Sequence, residues 1–167
     1  MPDNQNTNRN ADASEGIDFE SLTGQAWARL LRVHVQFADK CDWQKLDGKD
    51  WAHLLRMQPL FADKCDWKKL RGGHWAHLLG RQPQFADRCD KWNAMRSCDW
   101  TTLLQEQPDF AGKCDKWAEF DEEDWPSLLE VQPQFADKCD KWAEFDRENW
   151  SLLLAAQPQL AKYRPAK

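Results

Sequence analysis

The chain has 167 residues, 41% hydrophobic and 31% charged, with eleven tryptophans against one tyrosine and a net charge of -5. That length and apolar content suffice for one ordinary core, while the modest, mixed charge favours solubility and by itself argues for no particular partner. No run of 18 or more apolar residues reads as a membrane span, and Met1 to Asn6 lacks a basic n-region and an apolar h-region, so a cytoplasmic protein without membrane association is expected.

Residues 1–16 are rich in Asn, Asp and Ala, show no apolar periodicity, and read as a disordered tail. From there the sequence repeats. Trp27, Trp51, Trp75, Trp100, Trp125 and Trp150 follow at intervals of 24 or 25 residues, the mark of tandem duplication. Phe37, Phe61, Phe85, Phe110, Phe135 and Leu160 keep the same step, as do the five cysteines from Cys41 to Cys139 and a second tryptophan column from Trp43 to Trp142. The longer period comes from one extra residue, Lys91, Lys116 or Lys141, between the Cys-Asp pair and the second tryptophan.

The ends depart from the pattern, as expected where a terminal unit has a neighbour on one side only. Ile17-Asp18-Phe19 stands in the place of Cys41-Asp42-Trp43, so a half unit over residues 17–26 precedes repeats starting at 27, 51, 75, 100, 125 and 150. Arg164 occupies the cysteine position, leaving residues 164–167 as a C-terminal tail after a repeat domain over 17–163.

Within one unit, Trp51, Leu54, Leu55 and Gln58 fall at i, i+3, i+4 and i+7 and predict an α-helix with one apolar stripe. Pro59 ends that helix at Gln58 and opens a second one, α or 3-10, with Phe61, Ala62 and Cys65 inward. Trp67 to Leu70 is long enough for a single 3-10 turn. Helices of under three turns are marginal alone, and one unit cannot cover its own rings, so the copies must stack. The expected fold is all-α: a short right- or left-handed α-solenoid of two-helix repeats.

The run L-x-G-x-D-W-x-x-L-L-x-x-Q-P-x-F-A from Leu46 to Ala62 resembles the leucine-rich repeat variant family. The resemblance spans Ile17 to about Tyr163 and implies units that alternate an α-helix with a short 3-10 helix in a curved superhelix. Trp and Phe stand here where that family usually has aliphatic residues.

Candidate chemistry is sparse. Helices of neighbouring units lie about 8–10 Å apart, beyond the roughly 7 Å reach of a disulfide, so the periodic cysteines are expected to be buried and unbridged, with Cys98 in an inter-unit turn as the exposed thiol. No Cys or His pair has zinc spacing, and no nucleophile–base pair recurs. No catalytic residue, metal or cofactor is therefore expected. The Trp51 column shares its stripe with leucines and reads as core, the Trp67 column as half-exposed, and the Asp before it as a cap of the short turn.

Charge gives the functional reading. Residues 27–99 carry 14 Lys or Arg against 9 Asp or Glu, whereas residues 100–167 carry 8 against 14. The columns Arg29/His53/His77 and Arg32/Arg56, with Lys68, form the candidate binding surface of a non-enzymatic scaffold for a protein or peptide partner. Nucleic-acid binding through the basic half is the second reading, and a thiol-dependent redox or metal protein the third. The partner's identity and the oligomeric state stay open at this point.

Overall fold

A computed structural model describes residues 16–165. Apart from Gly16, the tail expected over 1–16 lies outside the described residues, as do residues 166 and 167. The described residues hold six α-helices: α1 (Gly24–Val33), α2 (Gly48–Met57), α3 (Gly72–Arg81), α4 (Ser97–Glu106), α5 (Asp124–Val131) and α6 (Arg147–Ala156). Each is followed by a six-residue 3-10 helix, from Val35–Lys40 after α1 to Pro158–Tyr163 after α6, and Trp43–Lys45, Trp67–Lys69, Trp92–Ala94 and Trp117–Glu119 add three-residue 3-10 turns. Successive α-helices pack side by side in chain order. The fold is the helical repeat solenoid that the periodicity predicts.

The sequence of α2 shows why each element forms. Asp47 accepts from the Asp50 N–H at 2.8 Å and Asp50 accepts from the Asp47 N–H at 3.2 Å, a reciprocal cap that starts the helix. Trp51, Leu54 and Leu55 are fully buried along its inner stripe. The helix stops at Gln58, whose N–H still reaches the Leu54 carbonyl at 2.8 Å, and Pro59 begins the next element. The six residues from Pro59 to Lys64 form two turns of 3-10 helix before Cys65 becomes extended, longer than the three or four residues at which most 3-10 runs stop. The helices begin ahead of the column tryptophans, so unit boundaries drawn at 27, 51 and 75 fall inside α1, α2 and α3.

Asp42 and Asp66 cap their short turns, accepting from the Gln44 and Lys68 N–H groups at 3.1 and 3.2 Å. In the longer units the inserted Lys91 and Lys116 take the N-cap position and make no side-chain cap bond. The extra residue therefore moves the aspartate out of capping register. At the start of α2, a Cβ on Gly48 would lie 2.1 Å from the Lys69 carbonyl oxygen, so only glycine lets the following turn approach this closely.

Two interactions join one copy to the next. The first is aromatic: Trp43 stacks on Trp51 at 5.5 Å and tilts against Phe61 at 5.4 Å, and the trios Trp67/Trp75/Phe85 and Trp92/Trp100/Phe110 repeat the arrangement. Phe19 takes the leading place against Trp27 and Phe37 in the first unit, as its alignment with Trp43 predicts. Five of the column tryptophans, 27, 51, 75, 100 and 125, bury an indole N–H with no hydrogen-bond partner. That costs about 1–3 kcal/mol each. Burying roughly 150–250 Å² of ring at about 25 cal/mol per Å² stabilises by about 4–6 kcal/mol, so the stack wins.

The second interaction is polar. The Gln at each helix C-cap donates its side-chain N–H to a carbonyl near the end of the preceding helix: Gln58 to Arg32 at 2.8 Å, Gln82 to Arg56 at 2.8 Å, Gln107 to Gly80 at 2.9 Å, Gln132 to Gln105 at 2.7 Å, and Gln157 to Glu130 at 2.6 Å. Helix ends leave such carbonyls without an intrahelical partner, and here the next copy supplies the donor.

Replacing Gln107 by Ala is expected to lower unfolding stability by about 1 kcal/mol. Gln107→Glu is expected to lower it further, because a carboxylate then faces the negative end of α3. Urea unfolding of the two variants checks this, and equal losses would show that the amide donor is not what matters.

Candidate functional site

The period that buries Trp51, Leu54 and Leu55 turns Lys49, His53 and Arg56 outward at i, i+4 and i+7. Beside them stand Arg29 and Arg32 of α1, His74 and His77 of α3, and Arg71 and Arg96 at the N-caps of α3 and α4. Between these helices runs a groove of about 590 Å³ bounded by Lys49, His53, Arg56, Arg71, His77 and Arg96. A recess of about 260 Å³ between α1 and α2 shares Lys49 and His53 with it and adds Arg29 and Arg32. The floor is open because α3 has glycines there: a Cβ on Gly73 would come within 2.9 Å of the Asp99 carboxylate.

Two carboxylates belong to this surface, and both turn back on their own helix starts. Asp50 accepts from the Asp47 N–H, and Asp99 accepts from the Arg96 N–H at 3.0 Å while pairing with its guanidinium at 3.4 Å. Burial, followed by the adjacent Asp47 charge, holds the Asp50 carboxyl above its usual range against the backbone bond it accepts. Burial also lowers the His53 imidazole, and Arg56, Lys49 and Arg32 push it the same way. Three cations acting on one ring show a positive surface potential along α1 and α2.

Of the six residues singled out from the sequence, Arg29, Arg32, His53, Arg56 and His77 line this continuous surface. Lys68 lies apart from it, exposed on the Trp67–Lys69 turn. The structure adds Lys49, Arg71, His74 and Arg96, which sequence reasoning passed over. The spacing of Lys49 from His53 by one helical turn was the available signal for the first; Arg71 and Arg96 replace the capping aspartates of other units and become visible only once the helix starts are known.

His74 has a particular role. It fills the position held by Asp50, Asp99 and Asn149 in other units, and its Nδ1 accepts from the Arg71 N–H at 3.2 Å. Such a cap needs a neutral imidazole.

The half-buried Trp67, Trp92 and Trp117 offer no platform for nucleobases. Trp67 stacks on Trp75, and the Arg88 guanidinium lies 5.3 Å over its ring; Lys113 and Lys138 lie 5.1 Å over Trp92 and Trp117. A ring stacked on protein and capped by a cation has no free face. All six cysteines are free. Burial raises the Cys41 and Cys65 thiols to about 12 and those of Cys89, Cys114 and Cys139 to about 11, which suppresses the thiolate that redox or nucleophilic chemistry needs. Among the described residues no three His, Cys, Asp or Glu side chains gather into a metal-binding group, and no helix is long and apolar enough to cross a membrane.

The molecule is thus a tryptophan-rich helical repeat protein with one cationic groove face. Comparison with protein families, with curated proteins and with solved structures finds no match.

Two outcomes test this surface. Burial, ahead of the opposing pull of Asp47 and the push of Arg71, holds the His74 imidazole below its ordinary value. Its contribution is therefore complete above the ordinary histidine value of about 6.5 and is lost as pH falls through the lower folded value. His74→Asp, which restores the aspartate of neighbouring units, should flatten the decline in melting temperature between about pH 7.5 and 5.5; an unchanged decline would place the pH dependence elsewhere. In a thiol titration, exposed Cys98 should react quickly in the folded protein and the other five only after unfolding.

Proposed function

We propose that this protein is a non-enzymatic repeat scaffold whose groove over α1 to α4 binds a carboxylate-rich surface or segment of a protein. The observation that carries the proposal is the run of cations from Arg29 and Arg32 through Lys49 and Arg56 to Arg71, facing outward while Asp50 and Asp99 are engaged by their own helices. Such a surface attracts anions and has few carboxylates free to repel them. No Trp, Phe or Tyr lines the groove or its recess, and aromatic faces are what single-strand binders use to hold bases, which favours a protein partner over a nucleic acid. A cytoplasmic setting suits six unpaired cysteines. The alternation of α-helix and 3-10 helix in every unit supports kinship with the leucine-rich repeat variant type.

A fluorescent oligoglutamate peptide is expected to bind at low ionic strength and to dissociate as salt is raised past the range where the Debye length falls below about 10 Å. Arg32→Glu combined with Arg56→Glu should weaken binding by about tenfold or more, equivalent to about 1.4 kcal/mol, whereas Lys68→Glu should leave it unchanged. Retention of labelled single-stranded DNA in place of the peptide would overturn the reading.

A further inference from the structure

The outward face that is basic over α1 and α2 turns acidic over α5, while α6 carries Arg147 beside Glu148. At the repeat position of Lys49 stand Glu123, the N-cap of α5, and Glu148, and at the position of Arg56 stands Glu130. Between them, in α3 and α4, the same two rows hold Gly73, Gly80, Cys98 and Gln105, none of them charged. The face is therefore polarised end to end with a neutral middle. A ligand that complements its charged rows must carry the opposite polarity, and a reversed copy of this chain has it where α2 meets α5, with Arg29 and Arg32 of α1 facing the uncharged Leu152 and Ala155.

We infer that the groove face binds a second copy of this chain about a two-fold axis parallel to the helices, passing between α3 and α4. This inference rests on the reading of the groove as a carboxylate-binding surface and names the source of the carboxylates that meet Lys49 and Arg56. The axis sets α1 over α6, α2 over α5 and α3 over α4, with equivalent helix positions opposed. Lys49 then meets Glu123 of the second copy, and Arg56 meets Glu130. Met57, 58% exposed, meets Val131, 52% exposed, so an apolar contact flanks the charged ones. Arg81 and Glu106, already paired at 3.1 Å within one chain, are also opposed across the axis. Within the outward rows through Lys49, His53, Arg56 and Met57, no like charges face one another.

The N-cap row contributes less. Asp47 and Asp121 would be opposed, but Asp47 accepts from the Asp50 N–H, and Asp121 accepts from the Glu123 and Asp124 N–H groups at 2.9 Å. Arg71 would face Arg96, whose charge Asp99 offsets. Size is adequate. Helices of eight to ten residues are about 12–15 Å long, and six of them spaced about 8–10 Å apart present a face of roughly 700 Å². A specific interface needs about 800 Å² per partner. An isologous contact of this kind closes at two copies.

The test is sedimentation equilibrium of the full chain at about 50 and 500 mM salt, spanning the range in which exposed charge pairs become screened. Wild type is expected at twice the single-chain mass in low salt and nearer the single-chain mass in high salt. Lys49→Glu/Arg56→Glu and Glu123→Lys/Glu130→Lys should each run as single chains in low salt. Their equimolar mixture should restore the two-copy mass, because each altered patch now faces its complement. All four positions are exposed or half-exposed, and circular dichroism melts confirm that the variants are folded. Wild type at single-chain mass throughout overturns the inference, as does a mixture that fails to associate, or association that survives Glu123→Lys/Glu130→Lys. If wild type does not associate yet still binds oligoglutamate, the groove reading stands and the self-association alone fails; if it does neither, both fail.

Discussion

Indole stacking across the joint between copies is the interaction on which the rest of this fold depends. Each half-buried tryptophan of a short turn lies flat on the fully buried tryptophan of the next α-helix, at 5.3–5.8 Å wherever both partners are indoles. A helix of eight to ten residues has too little hydrogen-bonding to persist alone. Its inner stripe supplies one indole and two leucines, and the neighbouring turn supplies the ring that covers them. Stability is therefore a property of joints rather than of units. This also explains why the terminal copies substitute rings instead of abandoning them: Phe19 covers Trp27 at one end, and Tyr163 stacks on Trp142 at 4.5 Å at the other.

Flat aromatic contacts fix separation well and direction poorly, and the glutamine row supplies the direction. A donor at every helix C-cap reaches back to a carbonyl of the preceding helix end, so the axial position of each helix is set relative to the last one. The bond does two things at once: it satisfies a carbonyl that the helix cannot satisfy itself, and it ties that satisfaction to the presence of the next copy. His34 stands in this row in the first unit, where no earlier helix among the described residues offers a carbonyl.

The repeat, its two tryptophan columns, the proline stop and the unbridged cysteines were legible in the sequence because each rests on a residue type recurring at a fixed interval, although of the cysteines expected to be buried Cys41 and Cys65 are only half-buried. The glutamine tie was also present as a repeated letter, yet its partner lies 26 or 27 residues away, and no local rule points from an amide to a carbonyl in another copy. The groove was half legible. Arg29, Arg32, His53, Arg56 and His77 follow from helical phase, but Arg71 and Arg96 enter through helix ends whose position the periodicity leaves loose by a residue or two. Lys68 shows the limit from the other side. It adds to the charge of the basic half and sits on an element that faces elsewhere, because a charge balance counts residues without regard to the direction in which they point.

The short turns, which lie away from this face, also change sign with the unit length. In the shorter units a lysine ends the short turn, and its ammonium reaches back to carbonyls of the preceding turn, as Lys69 does to Gln44 at 2.9 Å and Leu46 at 2.7 Å. The inserted lysine of the longer units occupies the start of that turn instead; Lys91 pairs with Asp90 at 3.4 Å, whereas Lys116 pairs with Glu119 at 2.8 Å and Lys141 with Glu144 at 3.5 Å at the turn's end. An exposed pair of this kind is worth at most about 1 kcal/mol. It nevertheless exchanges a terminal lysine for a glutamate in the last two longer copies, while the first ends its turn on Ala94. With the inner positions held by indole and leucine, the outer rows of α5 and α6 could vary toward Glu123, Glu130 and Glu148 without disturbing any joint. A core that runs as a strip along one side leaves the opposite side free to acquire a polarity, and in this molecule the sign changes at the α3–α4 boundary, where the unit lengthens.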